Sequence, residues 1–204
     1  MEITVVGAGN VGRALGTNLL RIGHRVRYAV RGVAPADLPE GATSLPVEEA
    51  AHGADLVVLA VPFGAVGEVV PLLGLQPGAV LVDATNPFGQ PLPAGHSSGA
   101  SVVAQAAPPG VSVVKAFDVL GAEHMLDPPL PDGHRPLLPV AGGDPAARDR
   151  VVGLATEMGF DAVAVGDLSA AGLLEDAARY WGLLAFAGGR GRGVVLVAHQ
   201  RPSG

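Results

Sequence analysis

The six residues Gly7-Ala8-Gly9-Asn10-Val11-Gly12 constrain what this chain can fold into more than any other stretch. They follow the β-branched run Ile3-Thr4-Val5-Val6 and open an apolar-periodic segment over 11–22, so the local order is strand, tight turn, helix. Gly7 supplies the sharp exit from the strand. Gly9 lets backbone approach a pyrophosphate with no Cβ in the way, and Gly12 lets the helix pack closely on the sheet. Unpaired backbone N–H groups and the positive end of the helix dipole then favour an anion at the helix start. A second strand over 25–30 answers the first, which is the context a dinucleotide fingerprint requires.

The ribose contact decides which dinucleotide is expected. An acid roughly 20 positions past the glycines suits NAD. Between Glu2 and Asp37 there is none, whereas Arg13, Arg21, Arg25, Arg27 and Arg31 all fall there. Arg31 ends the second strand, where a forked guanidinium suits a 2′-phosphate that a carboxylate would repel. The expected cofactor is NADP(H), with the other arginines read as surface charge.

Apolar runs over 55–61, 79–84, 111–116, 135–141 and 160–165 read as further strands. Helices are expected over 47–52, directly after Pro62-Phe63-Gly64, and over 99–107, 119–126 and 146–158; a last helix is capped by Ser169. Strand and helix alternate, which predicts an α/β fold: a doubly wound, mostly parallel sheet, the NADP-binding Rossmann fold, over 1–166. Residues 167–204 then form a C-terminal dimerisation helix and strap, packed on the same domain or on a second subunit. Leu173, Leu174, Ala177, Ala178, Trp181, Leu184 and Ala185 make one broad apolar face on that helix. A second copy is a fitting cover for it.

Ligands of doubly wound sheets lie beyond the carboxyl ends of the strands. That rule places Val61, Pro62 and Phe63 after one strand, and Asn86 and Pro87 after the next, at the cofactor cleft. Asn86 both donates and accepts, as a ribose hydroxyl or a carboxamide needs. Lys115, the chain's single lysine, ends the strand over 111–116 and faces the same cleft, with Asp118 just beyond. These two are the catalytic candidates. Nothing in the sequence joins Lys115, Asp118, His96 and His124 into an acid–base pair, so positioning is expected to carry the chemistry.

The composition excludes other classes. A net charge of −6 argues against nucleic acid or an anionic membrane as partner. The absence of cysteine removes disulfides, thiolate catalysis and Cys-based zinc sites, and no metal site is read. No apolar run is long enough to span a bilayer, and Met1 runs straight into the first strand, so a cytoplasmic protein is expected.

With these pieces placed, the chain resembles the coenzyme F420-dependent NADP oxidoreductase family, whose fold also occurs in the reductase domain of membrane metalloreductases. The resemblance rests on Gly7 to Gly12, the Gly23-His24 turn, Arg31, Ala60-Val61-Pro62, Asp83-Ala84-Thr85-Asn86-Pro87, Val114-Lys115-Ala116-Phe117, Gly142-Gly143-Asp144 and Leu168-Ser169-Ala170. It implies direct hydride transfer between NADP(H) and a deazaflavin or flavin, the small-molecule electron acceptor, and a homodimer formed through the C-terminal helix. Carried over, Gly9, Asn10, Val11 and Arg31 hold phosphates, while Pro62, Phe63, Asn86 and Pro87 line the nicotinamide half. Two positions depart from the family: Asp118 stands where relatives carry asparagine or histidine, and Gly121 where a proline is frequent. Two other readings stay open, a reductase of a small carbonyl or imine and a non-catalytic NADPH sensor.

Overall fold

The computed structural model describes residues 1–33 and 35–201. Its strands are β1 (Glu2–Val6), β2 (Arg25–Val30), β3 (Thr43–Pro46), β4 (Leu56–Leu59), β5 (Val80–Asp83), β6 (Ser112–Lys115), β7 (Leu137–Gly142) and β8 (Asp161–Gly166). The α-helices are α1 (Asn10–Arg21), α2 (Val66–Val69), α3 (Gly99–Ala106), α4 (Glu123–Leu126), α5 (Pro145–Glu157) and α6 (Ala171–Gly182), the last prolonged by a π-helical turn at Leu183–Ala187.

The strands form one sheet in the order β3-β2-β1-β4-β5-β6-β7-β8. Neighbours are parallel except β6 and β7, which pair antiparallel at Val114↔Gly142 and Lys115↔Ala141. That reversal positions the site. β7 starts at the edge where β6 ends, so the connection over 116–136 leaves β6 at the carboxyl-end edge, where ligands of this architecture lie, and then passes along α1, with Asp127 pairing Arg21 at that helix's end.

Alternate strand residues feed two apolar layers. Val5, Tyr28, Val58, Val82 and Val114 pack with Leu15 and Leu19 of α1 and Val151 and Leu154 of α5. Val6, Val57, Leu59, Leu81 and Val113 pack with Val66, Val69 and Val103 on the other side. Burial on both faces is why these strands read as continuous apolar runs rather than alternating ones. Polar groups inside are paired. Asn18 Nδ2 donates to the carbonyls of Met125 (2.9 Å) and Met158 (3.2 Å), tying α1 to α4 and to the end of α5. The Tyr28 hydroxyl donates to the Gly12 carbonyl at 2.9 Å, and burial pushes this phenol up to about 12.

Several local expectations change. β3 was unread, since an edge strand of exposed Thr43 and Ser44 owes its form to backbone pairing with β2 and carries no apolar alternation. The helix expected over 47–52 is a single 3-10 turn at Val47–Glu49, and the one after Phe63 is broken into short turns with Pro71 among them. Ser169 does not cap α6. It lies inside a 3-10 turn whose cap is Asp167, accepting from the Ser169 N–H at 2.9 Å. Trp181, with Leu174, Ala178 and Ala185, is buried against its own chain, while Leu173 is exposed. The Trp181 Nε1–H donates to the Val194 carbonyl at 2.7 Å, and the Leu137 N–H to that of Leu196 at 2.8 Å, so 194–198 is a strap and not a strand. Among the described residues no helix is long and apolar enough to cross a membrane.

Candidate functional site

The three glycines of the turn divide into two kinds. Gly7 has φ +104°, and a Cβ there would fall 2.6 Å from the Ala60 carbonyl oxygen; at Gly12 it would fall 2.0 Å from that of Gly7. Both are demanded by the chain's own packing. At Gly9 a Cβ would meet nothing within 4 Å. The space it leaves is therefore available to a ligand. Gly9 is also the N-cap of α1 and gives no side-chain cap, and the first turn carries no acid. The leading N–H groups of α1 are thus open to an anion, the feature a pyrophosphate requires.

Two cavities flank this turn. A cavity of about 340 Å³ is lined by Gly7, Ala8, Arg31, Val61 and Pro62, together with residues of β2 and α2. On the other side a cavity of about 680 Å³ is lined by Asn10, Val11, Phe88, Asp118, Leu120 and Trp181, with Leu183, Phe186, Arg179 and Arg192 farther out. Val6-to-Ala8 backbone thus faces one cavity and the start of α1 the other.

Arg31 is placed at the carboxyl end of β2, as its position in sequence requires, but it is not a free cation. Its Nη1 donates to Glu68 Oε1 of α2 at 2.7 Å, with the two side chains 56% and 66% exposed. An acid absent from the local sequence thus arrives from another element.

Phe63 is a correction. It is buried in the second apolar layer and lines neither cavity; its ring lies 3.0 Å from where a Cβ of Gly99 would be. Pro87 is buried against the same point at 3.2 Å. Both support the cleft from behind. Asn86 is half-buried: Nδ2 donates to the Asp118 carbonyl at 3.1 Å, and Oδ1 has no protein partner.

Lys115 is a second correction, because its side chain is 0% exposed and does not reach the cleft. Its ammonium donates to Asp83 Oδ2 at 3.2 Å and to the Thr85 carbonyl. Glu175 Oε1 lies 3.6 Å away and Asp118 Oδ2 3.8 Å away. Burial works against the charged lysine, but Asp83, Asp118 and Glu175 outweigh it and raise the group above its ordinary value. The lysine and aspartate that sequence spacing left apart therefore belong to one buried cluster.

The partners of that cluster were not found from sequence. Asp83 reads as the polar end of a strand, and its Oδ1 accepts from the Thr85 N–H at 2.9 Å. Glu175 lies far away on α6, yet it accepts from the Gly99 N–H (3.0 Å) and the Ala100 N–H (3.1 Å). It caps α3 together with Ser98, which accepts from the Ser101 N–H at 3.1 Å. A carboxylate interrupting the apolar face of the last helix was the available signal. His96 bonds Ser101 and Gln105 beside α3, and His124 bonds the Arg192 carbonyl, so neither histidine joins the cluster.

Residues 2–87 match the family described as NADP oxidoreductase coenzyme F420-dependent. Among solved structures, a protein from Arthrobacter sp. FB24, provisionally named an F420-dependent NADP reductase, is 28% identical; 98% of this chain and 100% of that chain align, with TM-score 0.84. Hypothetical protein SMa0349 from Sinorhizobium meliloti is also 28% identical, over 84% of this chain and 88% of that one, with TM-score 0.73. A reductive aminase from Aspergillus terreus, solved with NADPH and ethyl levulinate, is 21% identical with TM-score 0.67; the alignment covers 92% of this chain but 62% of that one, a likeness of fold. The open helix start and the doubly wound sheet thus accompany a match of residues 2–87 to the coenzyme F420-dependent NADP oxidoreductases, and over nearly its whole length the chain is similar to the Arthrobacter protein.

Proposed function

We propose that the protein reduces a deazaflavin or flavin-type acceptor with NADPH. The observation that carries this reading is the pair of cavities meeting at the glycine turn. The smaller suits an adenosine, with Arg31 at its rim for the 2′-phosphate, and the open N–H groups of α1 between the cavities suit the pyrophosphate. The larger, about 680 Å³ with mostly apolar and aromatic walls, has room for a nicotinamide and a flat fused ring together. When bound, NADPH supplies the hydride. The chain's own contribution is to align the reactants and exclude water, through Phe88, Leu120 and Trp181 on the walls. The name of the Arthrobacter relative supports the same acceptor class.

A second reading, reduction of a small carbonyl or imine, draws on Asp118, whose backbone borders the larger cavity while its carboxyl is buried behind the wall. Anaerobic NADPH oxidation with a deazaflavin, with FMN and FAD, and with a panel of ketones and imines separates the two. Fast turnover confined to ketones or imines overturns the deazaflavin reading, and tight NADPH binding with no turnover favours a sensor.

We also infer a homodimer, through a different stripe from the one the apolar periodicity suggested. Leu173, Tyr180, Leu183 and Phe186 are the exposed apolar residues of the last helix and its π turn. Leu183 and Phe186 also line the larger cavity, so a second copy on this stripe would close its mouth. Sedimentation of Leu183→Asp should show a monomer where the parent protein is a dimer; a monomeric parent overturns this.

A further inference from the structure

We propose that Phe88 is an acceptor-binding residue of the larger cavity, held at its mouth to cover the flat ring of the acceptor. This deepens the reading above and rests on it for the acceptor's class. Among the described residues two that are not glycine sit in the left-handed region, Phe88 at φ 43° and Phe117 at φ 65°. Such a backbone costs energy in any residue with a Cβ, and a bulky side chain there is a rarity that asks for a reason. Phe117 has one within the fold: it is 1% exposed and meets Phe160 edge-on, with ring centroids 5.9 Å apart. Phe88 has none. It is 67% exposed and belongs to neither apolar layer, so burial offsets nothing of the strain.

The turn that holds Phe88 makes the choice of residue more pointed. The Gln90 N–H donates to the Pro87 carbonyl at 3.0 Å, and Gly89 follows at φ 83°, so Pro87 to Gln90 form a β-turn whose two central residues both have positive φ. That is the pattern of a type I′ turn, in which asparagine, aspartate or glycine is preferred before the final glycine. Here phenylalanine stands there. Behind the turn Pro87 packs 3.2 Å from where a Cβ of Gly99 would be, and the Asn86 amide donates to the Asp118 carbonyl, so the base is fixed. In front, Phe88 borders the cavity with Leu120, Trp181, Leu183 and Phe186. A local preference overridden with no gain in packing marks a position kept for a ligand.

The acceptor is the occupant this position fits. On the reading above the nucleotide is anchored by its pyrophosphate at the start of α1, where Asn10 and Val11 border the same cavity. The reactant that enters and leaves by the exposed mouth is then the second one, and a mostly bare aromatic ring offers it a face for offset stacking. Phe88 exchanges no proton and forms no bond; it contributes alignment and the exclusion of water.

Phe88→Asn gives the turn a residue it prefers and removes the ring, so folding and binding should move in opposite directions. In thermal unfolding the ligand-free variant should be at least as stable as the parent; a Tm lower by more than about 3 °C would assign the ring to the fold and overturn the proposal. Binding is read in the presence of NADP⁺ by quenching of Trp181, the chain's single tryptophan, which borders the same cavity, with a deazaflavin and FMN as the probes. Phe88→Asn should weaken binding of the probe that the parent takes by about 3- to 10-fold and raise its KM alike, with NADPH affinity unchanged and Phe88→Tyr close to the parent. A loss of NADPH affinity instead, or a variant that sediments as a monomer from a dimeric parent, places the ring in another contact and overturns the proposal. A parent that binds neither probe overturns the acceptor reading and this inference with it. A probe bound as tightly by Phe88→Asn as by the parent overturns this inference alone.

Discussion

Two of the places where the protein pairs a cation with a carboxylate lie on either side of one glycine turn, and they could hardly differ more. Beside the smaller cavity Arg31 and Glu68 meet at 2.7 Å in water, each more than half exposed. Under the larger cavity Lys115 and Asp83 meet at 3.2 Å with no exposure at all, and two more carboxylates share the same ammonium. An exposed pair is worth about 0–1 kcal/mol and is readily exchanged for another partner. A buried one carries a desolvation cost, and losing one member costs about 3–5 kcal/mol. On the proposed assignment, the comparison makes the nucleotide side one built for exchange, with a guanidinium free to leave its carboxylate for a phosphate. The cluster under the larger cavity is built to hold a fixed charge pattern, within which the protonation of one carboxyl is set.

The sharpest way to break this contrast is to remove each cation in turn. Lys115→Met leaves three carboxylates with no cation in a dry site and should lower stability by about 3–5 kcal/mol in urea unfolding, whereas Arg31→Met should change it by less than about 1 kcal/mol. Equal losses would mean that the buried cluster is wetter than its 0% exposure implies. The next largest effect belongs to Asp118. Its folded value, about 7, lies above the ordinary 3.8, so between these limits the folded chain binds more protons than the unfolded one. Stability contributed by this group is therefore present at acid pH and is lost as pH rises from about 4 to about 7. Asp118→Asn should remove that decline and be more stable than the parent at pH 8, with about 4 kcal/mol as the ceiling set by the size of the shift. A variant less stable than the parent at pH 8 would count against a raised carboxyl.

The same contrast explains what the sequence could and could not tell. The Gly7–Gly12 turn, β2 and the buried strands were legible because a local pattern decides them: glycines needed for close approach, and apolar runs covered on both faces. Strand β3 was illegible, since exposed Thr43 and Ser44 carry no periodic signal. In the site, Arg31 was legible from its strand end, but its partner Glu68 is 37 residues away and only the fold brings it near. Lys115 and Asp118 were found as an unusual lysine and an unusual acid. Their burial was not, because Glu175 reaches them across a separation of 57 to 60 residues. Phe63 and Pro87 were read as cleft residues because strand ends point that way, and nothing local shows that Gly99 lets the two pack inward.

Smaller effects belong to the exposed pair, where binding rather than folding is the readout. Arg31→Asp replaces a donor fork with a charge that repels a 2′-phosphate and should weaken NADPH by about 1.5–3 kcal/mol, with NADH little changed. Separate titrations of both nucleotides on parent and variant measure this. Equal affinity of the parent for NADPH and NADH would remove Arg31 from the discrimination altogether.

The smallest effect comes from the acid that the local sequence lacks, and it sharpens the contrast most. Glu68 holds the Arg31 guanidinium, so on the proposed assignment it competes with the 2′-phosphate for the same donors and adds a negative charge beside it. Glu68→Gln keeps a hydrogen-bond acceptor for Arg31 but drops that charge. NADPH should therefore bind more tightly by about 0.5–1 kcal/mol, and the gain should shrink as salt screens an exposed interaction. NADH has no phosphate at this position and should gain nothing. The equivalent change inside the buried cluster, Glu175→Gln, should be insensitive to salt, because water and ions do not reach the lysine it faces. Weaker NADPH binding by Glu68→Gln would show that the carboxylate orients Arg31 for the phosphate instead of competing for it, and the nucleotide side would then be as preorganised as the acceptor side.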